Sequence, residues 1–269
     1  DIINEKNKAK EQIKSIDIKI NNNIQELNFK ESKYKFLVET EKEKDGYQKS
    51  VKALLQECEK SKELGRGVKG ALAELIDVPQ NLETAIEMSL GASIQNIVTE
   101  SEQDAKRLIE YLRKNNLGRA SFLPISNIFG KKPEKIKGDT SGVLGFASDL
   151  INYDKKCEQI ILNLLGKTVI VENMDVAIRV SKENGHNFKI VTLDGDIISQ
   201  TGSMTGGSVN KKTVKILGRG KEIEDLASQI ADIKERQEDL KKQKESIINS
   251  NKNVIEKTEK LESSLQTIE

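Results

Sequence analysis

The sequence predicts a mixed α/β domain of two related subdomains, inserted in a long antiparallel intramolecular coiled coil. Three observations predict it. Apolar stripes of heptad spacing lie at both ends, strand and helix patterns alternate in the middle, and a set of glycine and aliphatic residues recurs within that middle at one constant offset. These patterns divide the chain into a helix over 1–64, subdomains over 65–128 and 142–218 joined by a linker loop over 129–141, and a second helix over 219–269.

The first stripe runs through Ile2, Lys6, Ala9, Ile13, Ile16, Ile20, Asn23, Leu27, Lys30, Tyr34 and Leu37, most of them apolar, then resumes at Val51, Leu55 and Cys58. It fails at Glu41, Lys44 and Gln48, around Asp45-Gly46. Glycine inside a helix costs about 1 kcal/mol, so a kink or register break is expected there. The second stripe, from Ile223 through Leu226, Ile230 and Ile233 to Ile268, holds one register throughout. Each helix would be about 80 Å long at 1.5 Å per residue, longer than a small domain is wide. Two such stripes flanking one domain are best satisfied by each other, and a chain that leaves along one and returns along the other makes them antiparallel. Asn23 and Asn251 at core positions would help to set the register.

Gly65-Arg66-Gly67 ends the first helix, and Leu217-Gly218-Arg219-Gly220 precedes the last. Between them, helices are expected over Leu82–Leu90, Glu102–Lys114, Cys157–Leu165 and Val176–Asn184. Strands are expected over Ile94–Thr99, Ser121–Ile125, Thr168–Glu172, Phe188–Leu193 and Asp196–Gln200, with a hairpin turn at Asp194-Gly195. Gly67-Val68-x-Gly70 is matched 75 positions later by Gly142-Val143-x-Gly145. The same offset relates Leu75-Ile76 to Leu150-Ile151, Ile86 to Ile161, and Leu90-Gly91 to Leu165-Gly166. Two related units with pseudo-twofold symmetry follow, and their spare strand edges suit pairing with a second copy.

Composition narrows the function classes. The 44 basic and 43 acidic residues nearly cancel, so only local clusters can indicate a charged partner. Cys58 and Cys157 stand apart without a CxxC, which argues against a disulfide framework or zinc site and fits a reducing compartment. No apolar run reaches membrane-spanning length, and no signal peptide is evident. A start at Asp1 in mid-pattern reads as part of a longer chain.

Catalytic motifs fail on context. Gly166-Lys167-Thr168 resembles the end of a phosphate-binding loop, but Ile161 replaces the required glycine, and a helix precedes where a strand should. His186 follows Gly185 at a helix end, where a capping donor is ordinary. Asp194 and Asp196 fit a turn better than a metal pair. The remaining feature is Ser199-Gln200-Thr201-Gly202-Ser203-Met204-Thr205-Gly206-Gly207-Ser208, which follows a β-rich pair of isoleucines. Glycines at a strand end, with Met204 between them, let a second chain approach closely. Lys211, Lys212, Lys215 and Arg219 come next without an intervening acid. With Arg66 and Lys69 at the other helix junction, they make a candidate phosphate-binding patch for DNA.

With these residues together, the chain resembles the hinge region of structural maintenance of chromosomes (SMC) proteins with its adjoining coiled coil, and fits the bacterial homodimeric type best. The residues that carry the resemblance are Gly142-Val143-Leu144-Gly145, Thr192-Leu193-Asp194-Gly195-Asp196 and, above all, Gly202-Ser203-Met204-Thr205-Gly206-Gly207. The resemblance implies a non-enzymatic module of a chromosome condensation and segregation ATPase, joined to itself as a homodimer. Gly202, Gly206 and Gly207 would lie at the dimer contact, and Lys211 and Lys212 in a basic patch near the hinge–coil junction. It further implies a cytoplasmic, nucleoid-associated protein without membrane contact. This stretch would hold no cofactor: ATP and magnesium would sit at head segments elsewhere, where accessory condensin subunits bind. One departure is Thr201, where family members often carry the first of two glycines. Coiled-coil repair ATPases that bridge through a zinc hook are set aside for want of a CxxC. The alternative function is a ligand-binding α/β domain flanked by signalling coiled-coil helices, which calls for a polar pocket.

Overall fold

The computed structural model describes residues 2–132, 135–208 and 216–266. Two compact units emerge: Thr40–Lys221, and the outer stretches of the two terminal helices, up to Glu39 and from Glu222 onward. Among the described residues, no helix is long and apolar enough to cross a membrane.

Helix α1 (Ile2–Lys42) carries the first stripe only part of the way. The break at Asp45-Gly46 is a full interruption: Lys44 and Gly46 take φ of 50° and 94°, and α2 (Lys49–Lys60) starts a new helix. Lys44 holds this left-handed conformation with its ammonium 3.1 Å from Glu41 and 2.8 Å from Glu74. The end of the stripe therefore serves a different partner. Val51, Leu54 and Leu55 of α2 pack with Ala71, Ile97, Leu108 and Leu112 inside the Thr40–Lys221 unit. A 3-4 spacing defines an apolar face, and that face fits a domain surface as well as another helix.

The repeat recurs element by element. The first copy comprises β1 (Val68–Ala71), β2 (Ile76–Asp77), α3 (Glu83–Leu90), β3 (Ile97–Thr99), α4 (Glu102–Lys114) and β4 (Phe122–Pro124). The second comprises β5 (Val143–Phe146), β6 (Asn152–Tyr153), α5 (Glu158–Leu165), β7 (Thr168–Val171), α6 (Met174–Glu183) and β8 (Lys189–Thr192). In each copy the first strand runs antiparallel to the third, with a bulge at Val68/Gly70 or Val143/Gly145, and the third runs parallel to the fourth. The matched glycines share backbone angles, with φ of 74° and 76° at Gly67 and Gly142 and 124° and 143° at Gly70 and Gly145. That geometry is why glycine recurs at these positions. An arginine recurs too. Arg107 of α4 donates to the Arg66 carbonyl and Arg179 of α6 to the Ser141 carbonyl, each just before a Gly-Val pair. Ser101 and Asn173 cap the two helices by accepting from the N–H three residues on.

The sheets follow from this duplication. One is β1-β3-β4; the other extends the second copy with β9 (Ile197–Ile198) and β10 (Met204–Thr205), in the order β10-β9-β8-β7-β5. Strands β2 and β6 pair with each other, Ile76 against Tyr153 and Asp77 against Asn152, a register unchanged when the copies are exchanged, as a twofold axis requires. Ile86 and Leu90 of α3 share one buried cluster with Ile161 and Leu165 of α5. Burial of each such side chain stabilises by about 1.5–3 kcal/mol, so the copies depend on each other for their core. The described residues between β4 and β5 carry no helix or strand. Gln159 accepts from Gly130 N–H at 3.0 Å, and Asn163 donates to the Phe129 carbonyl at 2.9 Å, holding this connection on α5.

Helix α7 (Arg219–Gln266) pairs with α1 in the helical unit. Cross-helix ion pairs descend along one as they ascend along the other: Lys33–Glu222 at 2.7 Å, Glu31–Lys234 at 2.8 Å and Asp17–Lys244 at 2.6 Å. The pair is antiparallel. Ile16, Leu226, Ile230 and Ile233 are buried in its seam. Buried Asn23 donates to the Ile233 carbonyl at 3.0 Å. Asn251 does not match the expected role: it donates to the Ile247 carbonyl of its own helix. Asn23 is thus the register residue. In Asn23→Leu, spin labels on α1 and α7 are expected to report a broader distance distribution, because an apolar seam tolerates sliding that a buried amide does not.

Candidate functional site

The predicted hairpin turn forms as expected. Gly195 N–H donates to the Thr192 carbonyl at 2.9 Å and Thr192 N–H to the Asp196 carbonyl at 2.9 Å, which sends β9 back along β8. A second hairpin then places β10 at the edge of the five-stranded sheet. Two residues are too few to show a period, so this strand was not predicted. Its outer edge pairs with no strand among the described residues. Gly202, Met204, Gly206 and Gly207 all lie on this hairpin and are exposed, Met204 at 55%. An apolar side chain beside open backbone donors and acceptors is what a strand-to-strand contact between chains uses.

The turn explains Thr201. Gly202 N–H donates to the Ser199 carbonyl at 3.0 Å and Ser199 N–H to the Ser203 carbonyl at 2.9 Å. The left-handed position in this turn is Gly202, at φ 83°, whereas Thr201 keeps a negative φ open to any residue. Thr201 Oγ1 lies 2.7 Å from Ser199 Oγ, which also lies 2.7 Å from Ser203 Oγ. Beyond β10, the Asp196 carboxylate accepts from Gly207 N–H at 3.1 Å. A Cβ on Gly206 would come within 2.3 Å of the same oxygen, and Gly207 has φ 131°. Asp196 is the residue that sequence reasoning missed here, because an acid beside a turn is explained by the turn alone.

The cationic candidates separate. Lys211, Lys212 and Lys215 lie outside the described residues. Arg66 is exposed. Lys69 pairs with Glu100 at 2.5 Å, and Lys221 with Asp77 at 2.9 Å. The hydrogen bond from Lys221 holds the Asp77 carboxyl below the usual carboxylate range. Arg219 does not fit a surface patch. It is 3% exposed, and its guanidinium lies 3.2 Å from Glu41 and donates to the Asp45 carbonyl at 2.7 Å. It fastens the break after α1 and has no face left for a phosphate.

The other groups are structural. Gly166-Lys167-Thr168 joins the end of α5 to the start of β7, the reverse of a phosphate-binding loop. His186, at φ 58°, sits 2.7 Å from Ser181 Oγ through Nδ1. Burial pushes the Cys58 thiol up to about 11, so it stays protonated at neutral pH. Cys58 lines a cavity of about 230 Å³ with Lys44, Leu55, Glu59, Lys69 and Glu74. The cavity lies below the roughly 300–1,000 Å³ of small-molecule pockets.

Residues 65–181 match the family model described as SMC proteins Flexible Hinge Domain. The chromosome partition protein Smc of Bacillus subtilis (strain 168) is 43% identical over 189 residues, 69% of this chain and 16% of that protein. That of Clostridium kluyveri is 39% identical over 216 residues, 78% of this chain and 18% of that protein. The chain thus spans less than a fifth of the length of these curated relatives. A crystal structure described as an asymmetric dimer of the Geobacillus stearothermophilus SMC hinge domain superposes with a TM-score of 0.79 at 30% identity, covering 90% of this chain and 97% of that one.

Proposed function

Because the chain belongs to the SMC hinge family, we propose that it is the dimerisation joint of a chromosome-partitioning SMC protein of the bacterial homodimeric type, with DNA contact near the hinge–coil junction. The observation that carries the joint is the exposed β10 edge, with Met204 on it and Gly202, Gly206 and Gly207 around it. The related hinge from Geobacillus stearothermophilus, described as an asymmetric dimer, supports it. In this reading the module acts mechanically, holding two pairs of helices together. ATP, magnesium and accessory subunits belong to head segments outside it, in a cytoplasmic, nucleoid-associated protein. Light scattering of the purified chain is expected to give twice the mass of one chain; the mass of a single chain at tens of micromolar would exclude the joint.

For DNA, the reading rests on Lys211, Lys212 and Lys215 with exposed Arg66, and proceeds without Arg219. Replacing the three lysines by glutamine should weaken duplex binding and flatten its salt dependence, by about 0.9 in the log–log slope for each phosphate that is no longer neutralised. Fluorescence anisotropy across a salt series measures both, and an unchanged slope would remove these lysines from the DNA interface.

A further inference from the structure

We infer that Asp196 is a positioning residue for the subunit joint. Its carboxylate holds the Gly206–Gly207 peptide so that the backbone continuing from β10 is set in advance for a second copy of this chain. The inference rests on the reading of the β9–β10 hairpin as that joint.

The support runs from the core outward. Thr192, at the end of β8, is 1% exposed. It grips the Asp196 backbone twice, donating its N–H to the Asp196 carbonyl at 2.9 Å and accepting from Asp196 N–H through Oγ1 at 3.0 Å. Those bonds complete the β8–β9 turn without the carboxylate. The Asp196 side chain is left to reach across eleven residues and accept from Gly207 N–H at 3.1 Å. It does so where the ladder between β9 and β10 has ended, at Thr205 against Ile197. Past that point Gly207 adopts φ 131°, one state among many that a glycine pair can visit, and a charge-assisted bond selects it. Gly206 is the other half of the fit. Its φ is ordinary, and the group nearest a Cβ there is the Asp196 carboxylate, at 2.3 Å. Glycine at 206 thus makes room for the carboxylate that orders glycine at 207. Ordering before association favours it because less freedom is given up on binding.

The test is a double-mutant cycle read by sedimentation equilibrium of the full chain, with far-UV circular dichroism as the control for folding. Asp196→Ala is expected to raise the dimer dissociation constant about tenfold or more with an unchanged dichroism spectrum. Asp196→Asn keeps an acceptor in place and should recover most of the loss. Gly206→Ala should weaken the dimer in the parent chain, because its methyl displaces the carboxylate, yet add little once Asp196 is alanine. A dissociation constant within about twofold of the parent in Asp196→Ala, or single effects that simply multiply in the double variant, overturns the role of Asp196 and leaves the joint standing. A parent chain that is itself monomeric overturns the joint, and this role with it.

Discussion

A chain carrying Gly206→Leu and Gly207→Val is expected to run as a monomer where the parent runs as a dimer, with its helix signal intact. The two sites fail for different reasons. A leucine at 206 drives its Cβ against Asp196, and a valine at 207 must take φ 131°, a region that β-branched residues avoid. Backbone strain of this kind costs about 1–3 kcal/mol. Both positions are exposed, and neither contributes to a buried cluster, so the loss falls on association. About 3 kcal/mol is a factor above 100 in affinity, enough to dissolve a micromolar dimer at about 10 μM. Light scattering at that concentration decides the matter; a persisting dimer would place the interface elsewhere.

Arg219→Ala is expected to cost about 3 kcal/mol of stability without touching the salt slope of DNA binding. The side chain is 2% exposed against Glu41 at 28%, so truncation removes a buried cation from a partly buried carboxylate and from the Asp45 carbonyl. Breaking such a pair costs about 3–5 kcal/mol when both partners are buried, and the exposure of Glu41 puts this case at the low end. For a domain of this size the melting temperature should fall by roughly 6–12 °C. Arg219→Lys should recover less than half, because one ammonium cannot reproduce a forked guanidinium. A melting temperature within about 2 °C of the parent, at matched protein concentration, would refute this account of the buried pair.

These two sites also mark how far the sequence could be read. Helix α4 was legible to its last residue, because Ser101, a first turn with Asp104 and a regular apolar face all agree on Glu102–Lys114. The glycine-rich segment was legible as the end of a strand, which β9 supplies, and the left-handed φ of Gly202 is the reason glycine stands in the turn that follows. Strands β2, β6 and β10 were not, because two residues carry no period and their conformation is set by a partner strand. Arg219 stood in a run of cations with the composition of a solvated face. What buries it, the turn from Glu41 to Asp45, lies at the other end of the domain's sequence and leaves no local trace. The first stripe erred in the same way beyond Tyr47, where amphipathicity specified a face on α2 but not what would cover it.

The exchange-invariant pairing of β2 with β6 has a consequence for valency. Two copies that meet on a twofold axis and share a core are a dimer whose halves have been tied end to end. Tethering turns their encounter into a unimolecular event, at an effective concentration in the millimolar range for short flexible connections. The interior twofold is therefore indifferent to dilution. Tied halves need not be identical, and among the described residues only the second copy is followed by β9 and β10. An untied pair of identical halves would display two such edges, each able to recruit another pair and so to propagate without end. The tied pair displays one, and under the proposed joint, in which that edge serves contact with a second copy, association closes at two.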